Sequence, residues 1–289
     1  AVSKKFNLNL CLDPYSGYRK NNIRSFMLNN FNISSTIAPS NWIFFNNYRN
    51  LIKKNKIKND LFKKKKSFLF ELKNENKLTK YKSIKLDNMN HTFYVDGNFE
   101  SEKYFLDYRK DLLTEFSFKN DFSDNKYLDI INNNKFKDRY KNNNDLFIHI
   151  RNGDLFEVNN SMMYPKLSFF EKIMNLNNYD NIYVSLYTEK FVKKEENDKF
   201  EELRKKFKFK ILNENPDHII LFGSTCRYVC LSSGSFSLFI GLFSFYSNNV
   251  YFNNEASKYY NKKSNSIKKW HPDYYKILPE IDSKFILIE

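Results

Sequence analysis

Two short segments of this 289-residue chain carry residue types suited to gripping an anion. The first is Phe147-Ile148-His149-Ile150-Arg151-Asn152-Gly153-Asp154. Alternation along a strand puts His149 and Arg151 on one face, Gly153 lets the backbone turn tightly, and Asp154 can fix the loop or orient a basic neighbour. A guanidinium at the mouth of a strand suits a diphosphate, because its planar donors meet two oxygens together and stay charged at any working pH. A strand end closed by an Arg151–Asp154 ion pair is the purely structural alternative. The second segment is Ser232-Ser233-Gly234-Ser235-Phe236-Ser237. Hydroxyls and backbone N–H groups at a helix N-terminus form an anion site, and Gly234 permits close approach; the same residues also serve as an ordinary helix cap.

The elements that must position these segments are legible from about Asp145 onward. Apolar runs predict strands at Leu146–Ile150, Ile182–Leu186, Phe209–Leu212, Tyr228–Leu231 and Val250–Phe252. Between them, helical patterns run over Leu167–Leu176, Asp198–Phe207, Asp217–Ser224 and Ser235–Phe245. Short strands alternating with helices predict a doubly wound parallel sheet, which binds ligands beyond the carboxyl ends of its strands. Both segments fall there.

The first half is less regular. Asn-rich stretches, Lys-rich helical stretches and the segment Tyr94–Phe105 predict a mixed α/β region with long loops, ending in the polar run Asn132–Asn144. That run places a domain boundary near residue 140, giving domains over 1–140 and 141–265. Trp270, Tyr274 and Tyr275 are too apolar to float free, so the tail over 266–289 is expected to pack back across the first half.

Composition excludes several classes. A chain of 289 residues with 41% hydrophobic and 18% aromatic content buries a core without disulfide staples, so it is neither a mini-protein nor a disordered or fibrous chain. The net charge of +15 invites nucleic acid, an acidic membrane face or a phosphorylated small molecule. Only eight of the 48 basic residues are Arg, however, and Asn is about as common as Lys, the bias of an A+T-rich coding sequence. Much of the charge is therefore background. The densest run, Lys53, Lys54, Lys56, Lys58 and Lys63–Lys66, reads as a solvated helix face or loop, since Arg and a nucleic-acid-binding module are both missing.

Cys11, Cys226 and Cys230 are too few for a disulfide framework and lack the ligand pairs of a zinc site. A reducing compartment, or a redox state of no consequence, fits them better than a disulfide scaffold. His91, His218 and His271 have no metal-like spacing and read as surface or packed histidines, while Asp217 reads as a helix cap. The longest apolar run, Phe236–Phe245, is about half of what a bilayer requires and reads as a buried helix. The chain starts at Ala1 without Met, which leaves room for an anchor or leader ahead of it.

The order of motifs resembles a known family. His149-Ile150-Arg151-Asn152-Gly153-Asp154 is similar to the His-x-Arg-x-Gly-Asp motif of the α-1,2-fucosyltransferase family, and Ser235-Phe236-Ser237-Leu238-Phe239 to its later Ser-Phe-Ser-Trp-Trp segment. Gly97-Asn98-Phe99-Glu100-Ser101-Glu102-Lys103-Tyr104-Phe105 resembles the family's Gly-Tyr-Phe-Gln-Ser-x-Lys-Tyr-Phe stretch. Leu10–Asp13 with Phe31-Asn32-Ile33 is similar to an early strand and its sequel, and Tyr164–Phe170 holds the expected place after the first motif. Leu238 and Phe239 stand where the family often has two Trp, and no Gly-Gly-Leu-Gly-Asn-Gln segment precedes Leu10.

The resemblance implies a GT-B-like glycosyltransferase in which two Rossmann-like domains face a cleft and the C-terminal one holds a GDP-sugar. Arg151 would engage the donor pyrophosphate, with His149 and Asp154 completing a catalytic set. Asn152, Gly153, Ser233, Gly234, Ser235, Phe236 and Ser237 would line the donor site. The implied reaction moves fucose from GDP-fucose to a glycan hydroxyl, inverts the anomeric centre and uses no metal or other cofactor. Asp13, Glu100 and Asp154 are all open as the base. Two other readings compete: a transferase of xylose, rhamnose or galactose on the same scaffold, and a non-catalytic basic protein that binds glycan or nucleic acid.

Overall fold

A computed structural model describes residues 2–12, 28, 31–38, 66–70, 83–86, 92–96, 104–116, 143–152, 165–186, 191, 193–244, 247–253, 258–261, 266–269 and 284–288. The chain divides into two compact units, Ala1–Lys119 and Asn120–Glu289. The expected boundary near residue 140 lies outside the described residues, as do Lys53–Lys65, His91 and His271.

The first unit is mixed α/β. Its short helix α1 (Val2–Lys5) precedes β1 (Cys11–Leu12), which pairs in parallel with β2 (Thr36–Ile37). A second parallel pair joins β3 (Lys66–Phe70) to β4 (Thr92–Asp96), so the last lysine of the basic run opens a strand. A 3₁₀ turn over Leu106–Tyr108 runs into α2 (Arg109–Glu115). The C-terminal residue of α2 ties distant chain together: the Glu115 carboxylate accepts from the Ser34 backbone N–H at 2.7 Å and its hydroxyl at 2.5 Å. Those bonds hold the Glu115 carboxyl below its usual range.

The second unit contains the regular alternation. Its elements are β5 (Leu146–Ile150), α3 (Leu167–Met174), β6 (Ile182–Leu186), α4 (Lys194–Phe207), β7 (Lys210–Leu212), α5 (Pro216–Ser224), β8 (Tyr228–Cys230), α6 (Ser235–Phe243) and β9 (Asn249–Phe252). A hairpin of β10 (Lys258–Asn261) and β11 (Ser266–Lys269) follows, and β12 (Phe285–Leu287) comes last. Six strands form one parallel sheet in the order β12-β9-β8-β5-β6-β7. Renumbered along the sheet from β5, this is the 3-2-1-4-5-6 order of doubly wound nucleotide-binding sheets, read from one edge to the other. The order reverses between β5 and β8.

Burial explains why these segments are strands and which side each residue serves. All five residues of β5 are buried, as a central parallel strand covered on both faces requires. Leu146, Ile148 and Ile150 join a cluster with Phe170 and Ile173 of α3 and Phe200 and Leu203 of α4. Phe147 points the other way, against α5, where a Cβ on Gly223 would stand 2.6 Å from its ring. Gly241 of α6 is likewise pressed on Leu231, 2.7 Å from where its Cβ would be. Helices thus cover both faces, with α5 and α6 on the side of Phe147.

Most sequence-based boundaries agree with these elements to within a residue or two. Helix α4 is the exception, starting at Lys194 rather than Asp198, because its first turn, Lys194-Glu195-Glu196-Asn197, has no apolar residue to signal it. Asp217 lies inside α5, while Asn215 holds the cap position and Pro216 opens the helix. Of the expected tail, Trp270, Tyr274 and Tyr275 lie outside the described residues, while its final residues join the C-terminal sheet, where Phe285 is buried and β12 hydrogen-bonds to β9. An exposed β9 edge next to a short apolar run explains that choice. Cys226 and Cys230 are free and buried. Among the described residues no helix is long and apolar enough to cross a membrane.

Candidate functional site

The two anion-suited segments, far apart in sequence, meet where the sheet order reverses. Strand β5 delivers His149 and Arg151, and β8, its hydrogen-bonded neighbour, delivers Ser232 and the start of α6. The Ser232 hydroxyl accepts from the Arg151 backbone N–H at 3.3 Å, stitching the two strand ends together. The Ser237 hydroxyl, in the first turn of α6, accepts from the Ser232 N–H at 2.8 Å and lies 2.9 Å from His149 Nδ1. The Phe236 ring meets the His149 imidazole edge to face at 5.0 Å between centroids.

Gly234, at the N-cap of α6, has φ 92° and ψ 162°, a conformation that side chains other than glycine rarely adopt. A Cβ there would overlap the Arg151 Nη1 and stand 3.3 Å from its Cζ. The guanidinium therefore lies directly on the glycine at the helix start. A helix N-terminus and a fixed cation arriving at one point make a concentrated positive site. Beside it Ser233 is 3% exposed, and among the described residues its hydroxyl oxygen has no hydrogen-bond partner, an exception to the usual pairing of buried hydroxyls.

His149 is a neutral member of this group. Burial, with the Arg151 charge adding to it, lowers its pKa from 6.5 to about 3. The unfolded chain therefore takes up a proton below about pH 6.5 that the folded one refuses, so the stabilising contribution is complete above that pH and shrinks as pH falls toward 3. At pH 5 the loss from this group alone is about 2 kcal/mol. Denaturant titrations at pH 7 and pH 5 should show that loss in the wild type and a much smaller one in His149→Gln. Equal losses in the two proteins would disprove the assignment.

A cleft of about 570 Å³ is lined in part by Arg151. Ile150 and Ser232 line it too, together with residues from the starts of α3 and α4. Pro165, Leu167, Phe170 and Phe191 supply apolar surface, while Lys166, Lys193, Lys199, Glu195 and Glu196 supply charge. Lys166 and Lys193 occupy the N-cap positions of the two helices and make no side-chain cap bond. The volume is in the range of small-molecule sites.

The structure thus brings together His149, Arg151, Asn152, Ser233, Gly234, Phe236 and Ser237, with Asn152 fully buried. Ser235 begins α6. Gly153 and Asp154 lie outside the described residues, as do Asp13 and Glu100, so all three candidate bases do. Sequence reasoning did not single out the cleft residues, because lysines and glutamates on helix starts look like any solvated face until two helices converge. Among the described residues no group of three His, Cys, Asp or Glu side chains is placed to hold a metal ion. In comparisons with protein-family models, curated proteins and solved structures, nothing matches the chain.

Proposed function

We propose that the chain is a glycosyltransferase that moves a sugar, fucose first among the candidates, from a GDP donor to a glycan hydroxyl. In this reading the six-stranded unit is the donor half of a GT-B-like pair and Ala1–Lys119 belongs to the acceptor half. The observation that carries it is the Arg151 guanidinium seated on Gly234 at the start of α6, at the sheet's reversal point. Diphosphates bind at such points in sheets of this strand order. The ordered motifs that resemble fucosyltransferases supply the choice of sugar and nucleotide.

The chemistry is coherent with that placement. Breaking the bond between sugar and phosphate builds negative charge on the departing diphosphate. Fixed donors held in place beforehand, here Arg151 and the first N–H groups of α6, lower the barrier where that charge appears. The neutral His149 adds no positive charge of its own; it braces Ser237 and through it the Ser232 turn. The acceptor hydroxyl attacks from the opposite face of the sugar, which inverts the anomeric centre.

Thermal shift separates the readings. GDP should raise the melting temperature, as a ligand that binds only the folded state must, and UDP and a single-stranded oligonucleotide should not. Stabilisation by UDP instead would point to another nucleotide sugar. Strongly salt-dependent oligonucleotide binding, without a response to GDP, would replace the enzyme reading with nucleic-acid binding.

A further inference from the structure

We propose that Lys284 is a positioning residue that holds α6 where its first N–H groups meet the donor diphosphate; this rests on the nucleotide-sugar reading above. At its start α6 is tied by Ser237 to Ser232 and His149. At its other end the Lys284 Nζ donates to the carbonyl oxygen of Ser244, the C-cap residue, at 2.5 Å. The helix between the two ties is nine residues long, about 14 Å.

The second tie is a costly one. Lys284 is 8% exposed and Ser244 is fully buried, so an ammonium is taken out of water to reach this carbonyl. The Ser244 carbonyl also accepts from the Ser247 N–H at 3.2 Å, and the lysine is therefore not needed merely to satisfy it. What the ammonium adds is charge. The carbonyl end of a helix carries partial negative charge and its last carbonyls point along the axis, so a cation there pulls on the helix lengthwise. The Phe285 ring, centred 5.6 Å from Nζ, adds a cation–π contact.

Lys284 is in turn fixed by the sheet. Its carbonyl accepts from the Val250 N–H at 2.8 Å, and β12, which starts at the next residue, pairs with β9. Phe285 presses on the same helix, 3.3 Å from where a Cβ on Gly241 would stand. The pairing of β12 with β9 thus sets the ammonium, and the ammonium sets the far end of α6. A short rigid helix passes an axial shift at one end to the other, and a displacement of about 1 Å is enough to spoil alignment at a reacting centre.

The test uses the full chain and GDP, titrated calorimetrically at a temperature where every variant is folded. Lys284→Met keeps most of the stem and removes the charge; it should raise the GDP dissociation constant about tenfold, the equivalent of one weakened charge-assisted hydrogen bond. Leu203→Ala, which opens a hole in the core on the opposite face of the sheet, should lower the melting temperature and leave GDP affinity unchanged. GDP affinity within about twofold of wild type in Lys284→Met would overturn the assignment and leave the donor reading standing. Equal weakening in Leu203→Ala would overturn it as well, because the loss would then follow general loosening of the unit. If Lys284→Met does not fold, hydrogen exchange of the wild type decides. Coupling between the two ends of α6 is reciprocal, so GDP should slow exchange at the Ser244 and Val250 amides more than at Ile173 on the opposite face. An equal or absent effect overturns the assignment. A wild type that binds no GDP would remove the donor reading itself, and the role of Lys284 with it.

Discussion

Arg151→Ala is expected to cost about 3 kcal/mol of transition-state stabilisation, somewhat over a hundredfold in kcat/KM, while the melting temperature changes little. The two effects separate because the side chain and backbone of Arg151 do different jobs. Its N–H anchors the strand end to Ser232, and alanine keeps that bond. Its guanidinium lies at the start of α6, where the departing diphosphate would gather charge. Arg151→Lys should fall between the two, since an ammonium keeps the charge but loses the planar fork that meets two oxygens. Steady-state kinetics with GDP binding measured in parallel checks both variants. Unchanged turnover in the alanine variant would remove Arg151 from the mechanism.

Gly234→Ala should damage the same site by a different route, lowering both stability and GDP affinity. The backbone at φ 92° costs a residue with a Cβ about 1–3 kcal/mol. The new methyl also occupies the place of the guanidinium, which must swing off the helix start and give up its contact there. That collision predicts coupling. In the double variant with Arg151→Ala the methyl has room, so the stability loss should be smaller than in Gly234→Ala alone. Chemical denaturation of the four proteins completes the cycle. Additive losses would mean that the guanidinium does not rest on the glycine.

The legible parts of this protein are those in which local pattern and tertiary environment agree. Leu146–Ile150 is an uninterrupted apolar run because the strand is covered on both faces, and Leu167–Met174 shows a helical stripe because only one side of it is buried. The neighbour of each strand is a different matter. Nothing local in Tyr228–Cys230 says that it pairs with β5 rather than β7, yet that pairing creates the site. The anion-suited loops were readable because glycine, serine and arginine carry their chemistry in their side chains or backbone freedom. The cleft-lining lysines and glutamates at the starts of α3 and α4 were not, since their meeting depends on how the two helices converge. In the tail, Trp270, Tyr274 and Tyr275 argue for burial without naming a partner, whereas the partner of Phe285, the β9 edge, is set by strand pairing and not by local pattern.

The contact between His149 and Ser237 spans 88 positions of chain. Between those residues come α3, β6, α4, β7, α5 and β8, and β8 must take its register on β5 before Ser237 can reach the imidazole. Loop closure of that length is slow compared with helix formation. A newly made or refolding chain would therefore acquire helix signal and much of its buried surface before it acquires affinity for a nucleotide. Ligand binding during refolding would then mark the last event, and a preparation with native-like circular dichroism but no nucleotide response would be one stalled short of it.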